Sequence, residues 1–276
     1  MTTVRTWRTY GASRYGQVHL ICAEPAASGG ASKVPVVCFH QSPSSGLQFR
    51  KFQQVLASDR LVICPDTPGF GGSDGPDQPV TIPDYAAAMA DLFDGLGYGA
   101  GGKGPINVVG CHTGTLIAAA LAVARPDLVQ KLALPSLALF TEDERAKMKA
   151  QYGGPQPMLT DPDMVPKIWR QTVVGGPADM TPERRMEMFA ERLRAGVRAW
   201  FGPEASLNYD CATTLKILEQ PVLLLVLNEM LGPNTRRAAD VVKNATLVDI
   251  SDRAGHSAWD SAPETLAAPI RAFFDA

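Results

Sequence analysis

The chain has no uncharged apolar run long enough to span a bilayer, which argues against a membrane-spanning protein. It also lacks an excess of either charge. Twenty-six Lys+Arg stand against 28 Asp+Glu, a formal net charge of -2 with no block of one sign, so neither a nucleic acid nor a membrane surface is an expected partner. Cysteines are few: Cys22, Cys38, Cys64, Cys111 and Cys211 are odd in number, widely spaced and mostly inside apolar runs. Reduced, buried thiols are therefore expected rather than a disulfide framework. No HExxH or CxxC spacing occurs, and the glycine string GFGGSDG lacks the GxGxxG spacing that cradles a dinucleotide. No cofactor and no metal site is expected on these grounds. The opening residues MTTVRTWRTY lack the apolar stretch of a secretory signal, and the expected location is the cytoplasm.

What is present suits a large globular unit. The 276 residues are about twice a typical domain length of ~150, so one large α/β domain or two small ones fit. With 45% hydrophobic and 20% charged residues, the chain can bury a core without staples.

Short β-branched runs alternate with Ala/Leu-rich stretches, the pattern of βαβ units and a parallel sheet. Residues 4–10 and 17–23 flank GASRYG as an opening hairpin. VPVVCF (34–39), LVICPD (61–66), INVVGC (106–111), KLALPS (131–136), PVLLLVL (221–227) and ATLVDIS (245–251) bring the strands to about eight. Near-continuous apolar runs of this kind belong to strands buried on both faces. Helices are expected at 83–96, 114–125, 235–243 and 262–275, from their Ala and Leu content. AASGGASK (26–33) is read as a solvated connection.

Between Phe140 and Glu219 the texture changes to charged, Met-rich helical patterns without a convincing strand. The division that follows is a core of 1–139 and 220–276 with a helical cap of 140–219 over the sheet's carboxyl edge, where open α/β sheets bind ligands. The cap's Met148, Met158, Met164, Met180, Met186, Met188, Trp169, Trp200, Phe189 and Phe201 could line an apolar pocket. At helical spacing, at least two-thirds of them are expected to be simple packing.

Four loops then fall into a telling order. HQSPSSGLQFRKF follows the third strand, DTPGFGGSD the fourth, GCHTG the fifth, and AGHSAWDSAPE comes near the end. Together they resemble the α/β-hydrolase superfamily over nearly the whole chain. The resemblance implies a mostly parallel, doubly wound, eight-stranded sheet with an inserted helical cap, and a nucleophile on a sharp turn after the fifth strand. Aligned by its glycines, that turn reads Gly110-Cys111-His112-Thr113-Gly114, which puts His112 where the family carries its nucleophile. A shift of one would place Cys111 there, flanked by the β-branched Val109 and Thr113, which suit the turn poorly.

An imidazole at that place can attack a carbonyl, act as a base toward water or a substrate proton, or only position a substrate. His256 stands where the family carries its catalytic histidine. For the acid, Glu229 is the candidate to orient His256 through its Nδ1–H, although Met230 takes the aligned position. The alternative after the sixth strand offers Ser136, then Glu142 and Asp143. The oxyanion donors implied are the amides of Ser42 and Thr113, with Gln41 and His40 also placed in the oxyanion and substrate-binding set, although His40, like Asp66, reads equally as loop architecture. Trp259 is expected as a pocket wall or as core. His40, His112 and His256 could converge on a metal, a weak option without a ligand motif.

The expected activity is hydrolysis of an ester- or lactone-like bond in a small, mostly apolar molecule. The alternatives are a cofactor-free lyase that moves protons with His112 and His256, and a ligand-binding relative without catalysis. The expected partner is a small-molecule substrate; a homodimer stays open.

Overall fold

The computed structural model describes residues 3–26, 33–155 and 157–276. Residues 27–32 of the AASGGASK connection lie outside them. β1 (Val4–Ser13) and β2 (Gly16–Pro25) form the expected antiparallel hairpin, paired from Val4 with Pro25 to Ser13 with Gly16. β3 (Val36–Phe39), β4 (Val62–Pro65), β5 (Ile106–Gly110), β6 (Val129–Ala133), β7 (Val222–Val226) and β8 (Ala245–Asp249) complete one eight-stranded sheet in the order β1-β2-β4-β3-β5-β6-β7-β8. β2 meets β4 antiparallel, and from β4 to β8 every neighbour is parallel. β6 begins two residues before the apolar pattern indicates and stops before Pro135, which has no N–H to give a ladder.

Alternation along the strands sends side chains to both faces. Val37, Phe39, Ile106 and Val108 join one buried cluster, while Val36, Cys38, Val62 and Val109 join another on the opposite side. Helices cover both. α1 (Arg50–Leu56) lies where the sequence suggested only a loop; it follows a short turn opened by Ser45, whose hydroxyl accepts from the Leu47 N–H. α2 (Ile82–Gly95) starts at a capping box of Thr81 and Asp84, and α3 (Thr113–Ala124) is buried along nearly its whole length. α4 (Glu142–Tyr152), α5 (Met164–Trp169), α6 (Pro182–Arg194), α7 (Phe201–Asn208) and α8 (Cys211–Lys216) follow β6, with no strand among the described residues between β6 and β7. α9 (Gly232–Ala238) starts earlier than expected because Pro233 opens it, and α10 (Ala258–Ser261) and α11 (Pro263–Asp275) close the chain. All five cysteines are free and buried.

Two loops at the carboxyl edge are tied together by Asp66, just after β4. Its carboxylate accepts from Gly46 N–H and Gly72 N–H, both at 2.7 Å, and pairs with His19 Nδ1 at 2.8 Å. Asp66 is thus loop architecture, as its turn context implied. Burial works to raise its pKa, but the His19 contact, the nearby His40 and the two amides outweigh burial and hold it below the usual value. A carboxylate depressed in the folded state stabilises it fully above the unfolded value near pH 4, and this contribution fades as pH falls further. Asp66→Asn should cost about 3 kcal/mol in urea denaturation at pH 7, with the gap to wild type narrowing toward pH 3. An unchanged midpoint at pH 7 would remove this role.

Candidate active site

The turn from β5 into α3 sets the floor of the site. Packing is so tight there that a Cβ on Gly114 would sit 2.0 Å from the Phe39 carbonyl oxygen, and one on Gly110 would lie 2.6 Å from Thr115 Cα. Both positions need glycine, which the GCHTG pattern supplies. Between them His112 takes φ 48 and ψ -116, one of only two non-glycine residues of positive φ among those described. Cys111 is fully buried, with its Sγ 3.2 Å from Gln48 Nε2, and its thiol is pushed far up by burial. It is not the residue presented at the turn.

His112 and His256 face each other with ring centroids 5.3 Å apart and planes at 73°. Glu229, from the loop after β7, puts Oε2 3.3 Å from His112 Nε2. The sequence expectation was that Glu229 orients His256 through Nδ1. The structure turns its carboxylate to His112 instead, and among the described residues no hydrogen bond joins it to His256. The loop explains this, since Glu229 Oε1 accepts from the Leu231 N–H at 2.9 Å and so fixes the other oxygen toward α3. His112 Nε2 and Glu229 Oε2 are both sealed from solvent, and their approach is too poorly aligned for a hydrogen bond. Ser136 lies beside Glu229, whereas Glu142 and Asp143 sit exposed at the start of α4.

Burial works to raise the Glu229 pKa; facing His112 and His256 and the Ser136 hydroxyl bring it below its usual value. For His256, burial comes first and the adjoining His112 second, against the attraction of Glu229, and its pKa is lowered to about 4. Its accessible surface faces a cavity walled by protein, which reconciles its exposure with this desolvation.

That cavity has a volume of about 380 Å³ and contains His112, His256, Gln41, Ser42, Thr113 and Trp259 in its wall. Thr113 opens α3, where the first N–H groups have no intrahelical acceptor. Gln41 gives its own N–H to Gln48 Oε1 at 3.2 Å, and Gln48 also reaches Cys111. Gln48 thereby braces the loop after β3 against the turn at His112, a role the sequence did not reveal. Trp259 is both wall and core, its ring edge-on to Phe49 and Phe52. His40 is not in the wall. It is fully buried, its Nε2 accepts from the Thr67 N–H at 2.8 Å, and its Nδ1 donates to the Gln41 carbonyl at 2.7 Å. The three-histidine metal set weighed from the sequence therefore does not assemble. His112, Glu229 and His256 do offer one donor atom each within 4.8 Å of one another, the group that could hold an ion.

Of the ten apolar residues picked out between 140 and 219, Met148, Met180 and Met188 reach the cavity. Met164 and Phe189 pack with Ile168 and Met158, while Trp169 and Met186 are exposed. Two clasps missed by sequence reasoning join this helical segment to the loop of His256. Arg184 on α6 donates to both oxygens of Asp260 at 3.0 Å and to the Leu47 carbonyl at 2.7 Å, and Ser257 Oγ donates to Asp179. Only the ERR and SAWD strings hinted at them, and no local pattern pairs charges 76 residues apart.

The family model described as alpha/beta hydrolase fold matches residues 34–156. The poly(3-hydroxyalkanoate) depolymerase of Ectopseudomonas oleovorans is 30% identical over 228 residues, covering 80% of this chain and 77% of that protein. The chain belongs to the α/β-hydrolase superfamily. Among solved structures, a hydrolase from Pseudomonas aeruginosa PA01 superposes with a TM-score of 0.78 at 18% identity, covering 98% of each chain. The enol-lactonase from Burkholderia xenovorans LB400 superposes with a TM-score of 0.76 at 17% identity, over 97% of this chain and 100% of that one. These two share the fold.

Long-range 1H–15N NMR should find the His256 imidazole neutral at pH 6, titrating well below the ordinary 6.5. Glu229→Gln should move that midpoint further down, because the carboxylate is the one neighbour favouring the protonated ring. A midpoint at 6.5 or above contradicts the electrostatics described.

Proposed function

We propose that the protein hydrolyses an ester- or lactone-like bond of a small, mostly apolar molecule held in the cavity, without a cofactor. The observation that carries this is the cluster of His112, Glu229 and His256 at the carboxyl edge of the sheet, opening into that cavity. The names of the depolymerase and enol-lactonase relatives point to the same bond class. In this reading His112 occupies the nucleophile elbow, and residues 140–219 are the cap.

Glu229 faces Nε2 of His112, and Nδ1 has no partner among the described residues. Nδ1 is then the nitrogen that takes a proton from water or attacks the carbonyl, and Glu229 stabilises the imidazolium that results. His256, kept neutral, is the acid/base partner for the leaving oxygen once it has received the proton. The amides of Ser42 and Thr113 hold the developing oxyanion. The same facing imidazoles without a hydroxyl nucleophile also suit proton transfer in a cofactor-free lyase, which forms no acyl intermediate.

A panel of short esters, thioesters and lactones separates these. Wild type should hydrolyse at least one member, His112→Ser should be slower, and His256→Ala should lose roughly two to four orders of magnitude in kcat. Hydrolysis by His112→Ser alone would set the proposal aside and favour the lyase. Dialysis against a chelator should leave turnover unchanged; loss restored by a divalent ion would reassign the cluster as metal ligands.

A further inference from the structure

The cavity wall carries a cation that makes no ion pair among the described residues. On α6 the residues that reach the cavity are Arg185, Met188 and Arg192, a spacing of three and four that lays them along one helix face. A helix turned toward a mostly apolar cavity is expected to place apolar residues on that face. Two of these three positions are arginine.

Their surroundings differ. Arg185 is occupied, with Nε on the Met180 carbonyl and Nη1 on that of Val173. Arg192 makes no hydrogen bond or ion pair among the described residues, which include every Asp and Glu of the chain. The acids nearby in sequence or in the wall are engaged elsewhere: Asp260 with Arg184, Glu187 with Arg50 and Arg184, and Glu191 with Arg194. The guanidinium is half-buried, and its pKa is depressed by that burial, with Tyr152 weakly opposing. It stays charged all the same. A charge withdrawn from water without a counter-ion is costly, and the expense is recovered when an anion docks on it.

We propose that Arg192 is the recognition site for a carboxylate on the substrate, so that the molecule accepted is an ester or lactone bearing a free acid group at its far end. This rests on the ester-hydrolase reading for the reacting bond, but not for the binding. The planar guanidinium offers two parallel N–H donors to a carboxylate, and the methionines Met148 and Met188 take the apolar chain between acid and ester.

Two arms test it. In the first, calorimetry compares medium-chain monocarboxylates with their methyl esters on wild type, Arg192→Met and Arg192→Lys. The acid should bind wild type, lose roughly ten- to a hundredfold with Met, and recover in part with Lys, while the neutral ester should change less than about threefold. In the second, KM for a monomethyl diacid is compared with that for the dimethyl diester; Arg192→Met should raise only the former and leave kcat nearly unchanged. Equal weakening of acid and neutral ligand, or equal binding of both by wild type, overturns the proposal. The first arm needs no turnover, so absence of hydrolysis sinks the proposed reaction and leaves the carboxylate site to stand or fall by itself.

Discussion

The contact between the start of α3 and the end of β3 constrains everything else in the site. Glycine at 110 and 114 lets the helix begin against the Phe39 carbonyl, and the chain can make that approach only by turning sharply at the residue between them. His112 therefore carries a backbone conformation that L side chains seldom adopt. Such strain persists where the surroundings over-determine it, and here α3 is buried along its length and β5 is fully buried. The imidazole is presented between two buried elements. Gln48 adds a brace from the loop after β3, so the wall opposite His112 is held in register with it.

A second constraint couples the helical segment to the chemistry. Arg184 and Asp260 are both almost wholly withdrawn from water, which costs more than their attraction returns unless further hydrogen bonds are made. The Leu47 carbonyl and Glu187 complete the guanidinium. The pair is better understood as fixing a geometry than as adding stability. Ser257 and Asp260 follow His256 in the same segment and line the cavity, and Asp179 accepts from that same Ser257. The helix that supplies Arg185 and Arg192 is thus anchored to the loop that supplies His256.

Much of this was legible in the sequence, for physical reasons that differ by element. The parallel strands were readable because burial on both faces makes them continuous apolar runs, and the hairpin because GASRYG stands between two alternating stretches. The His112 turn was readable because the close approach of backbone demands glycine and nothing else. α1 was hidden: it follows a Pro- and Ser-rich loop and a short turn capped by Ser45, and no side chain caps α1 itself. The direction of the Glu229 carboxylate was hidden too, because it is decided by an amide two residues on, at Leu231, and not by any side-chain pattern. His40 looked like a partner to the other histidines on the sequence, but two backbone groups had already claimed both of its ring nitrogens.

The placement of one carboxylate against two imidazoles limits what the cluster can do. Protonating both rings would set two cations edge to face, centroids 5.3 Å apart, against the single carboxylate of Glu229. The depressed pKa of His256 comes first from its burial and second from the adjoining His112. The Glu229 carboxylate faces His112, turned there by the Leu231 amide, and His256, lowered to about 4 chiefly by its burial, is left neutral at pH 7. Arg192 adds a further positive charge to the wall of the same cavity.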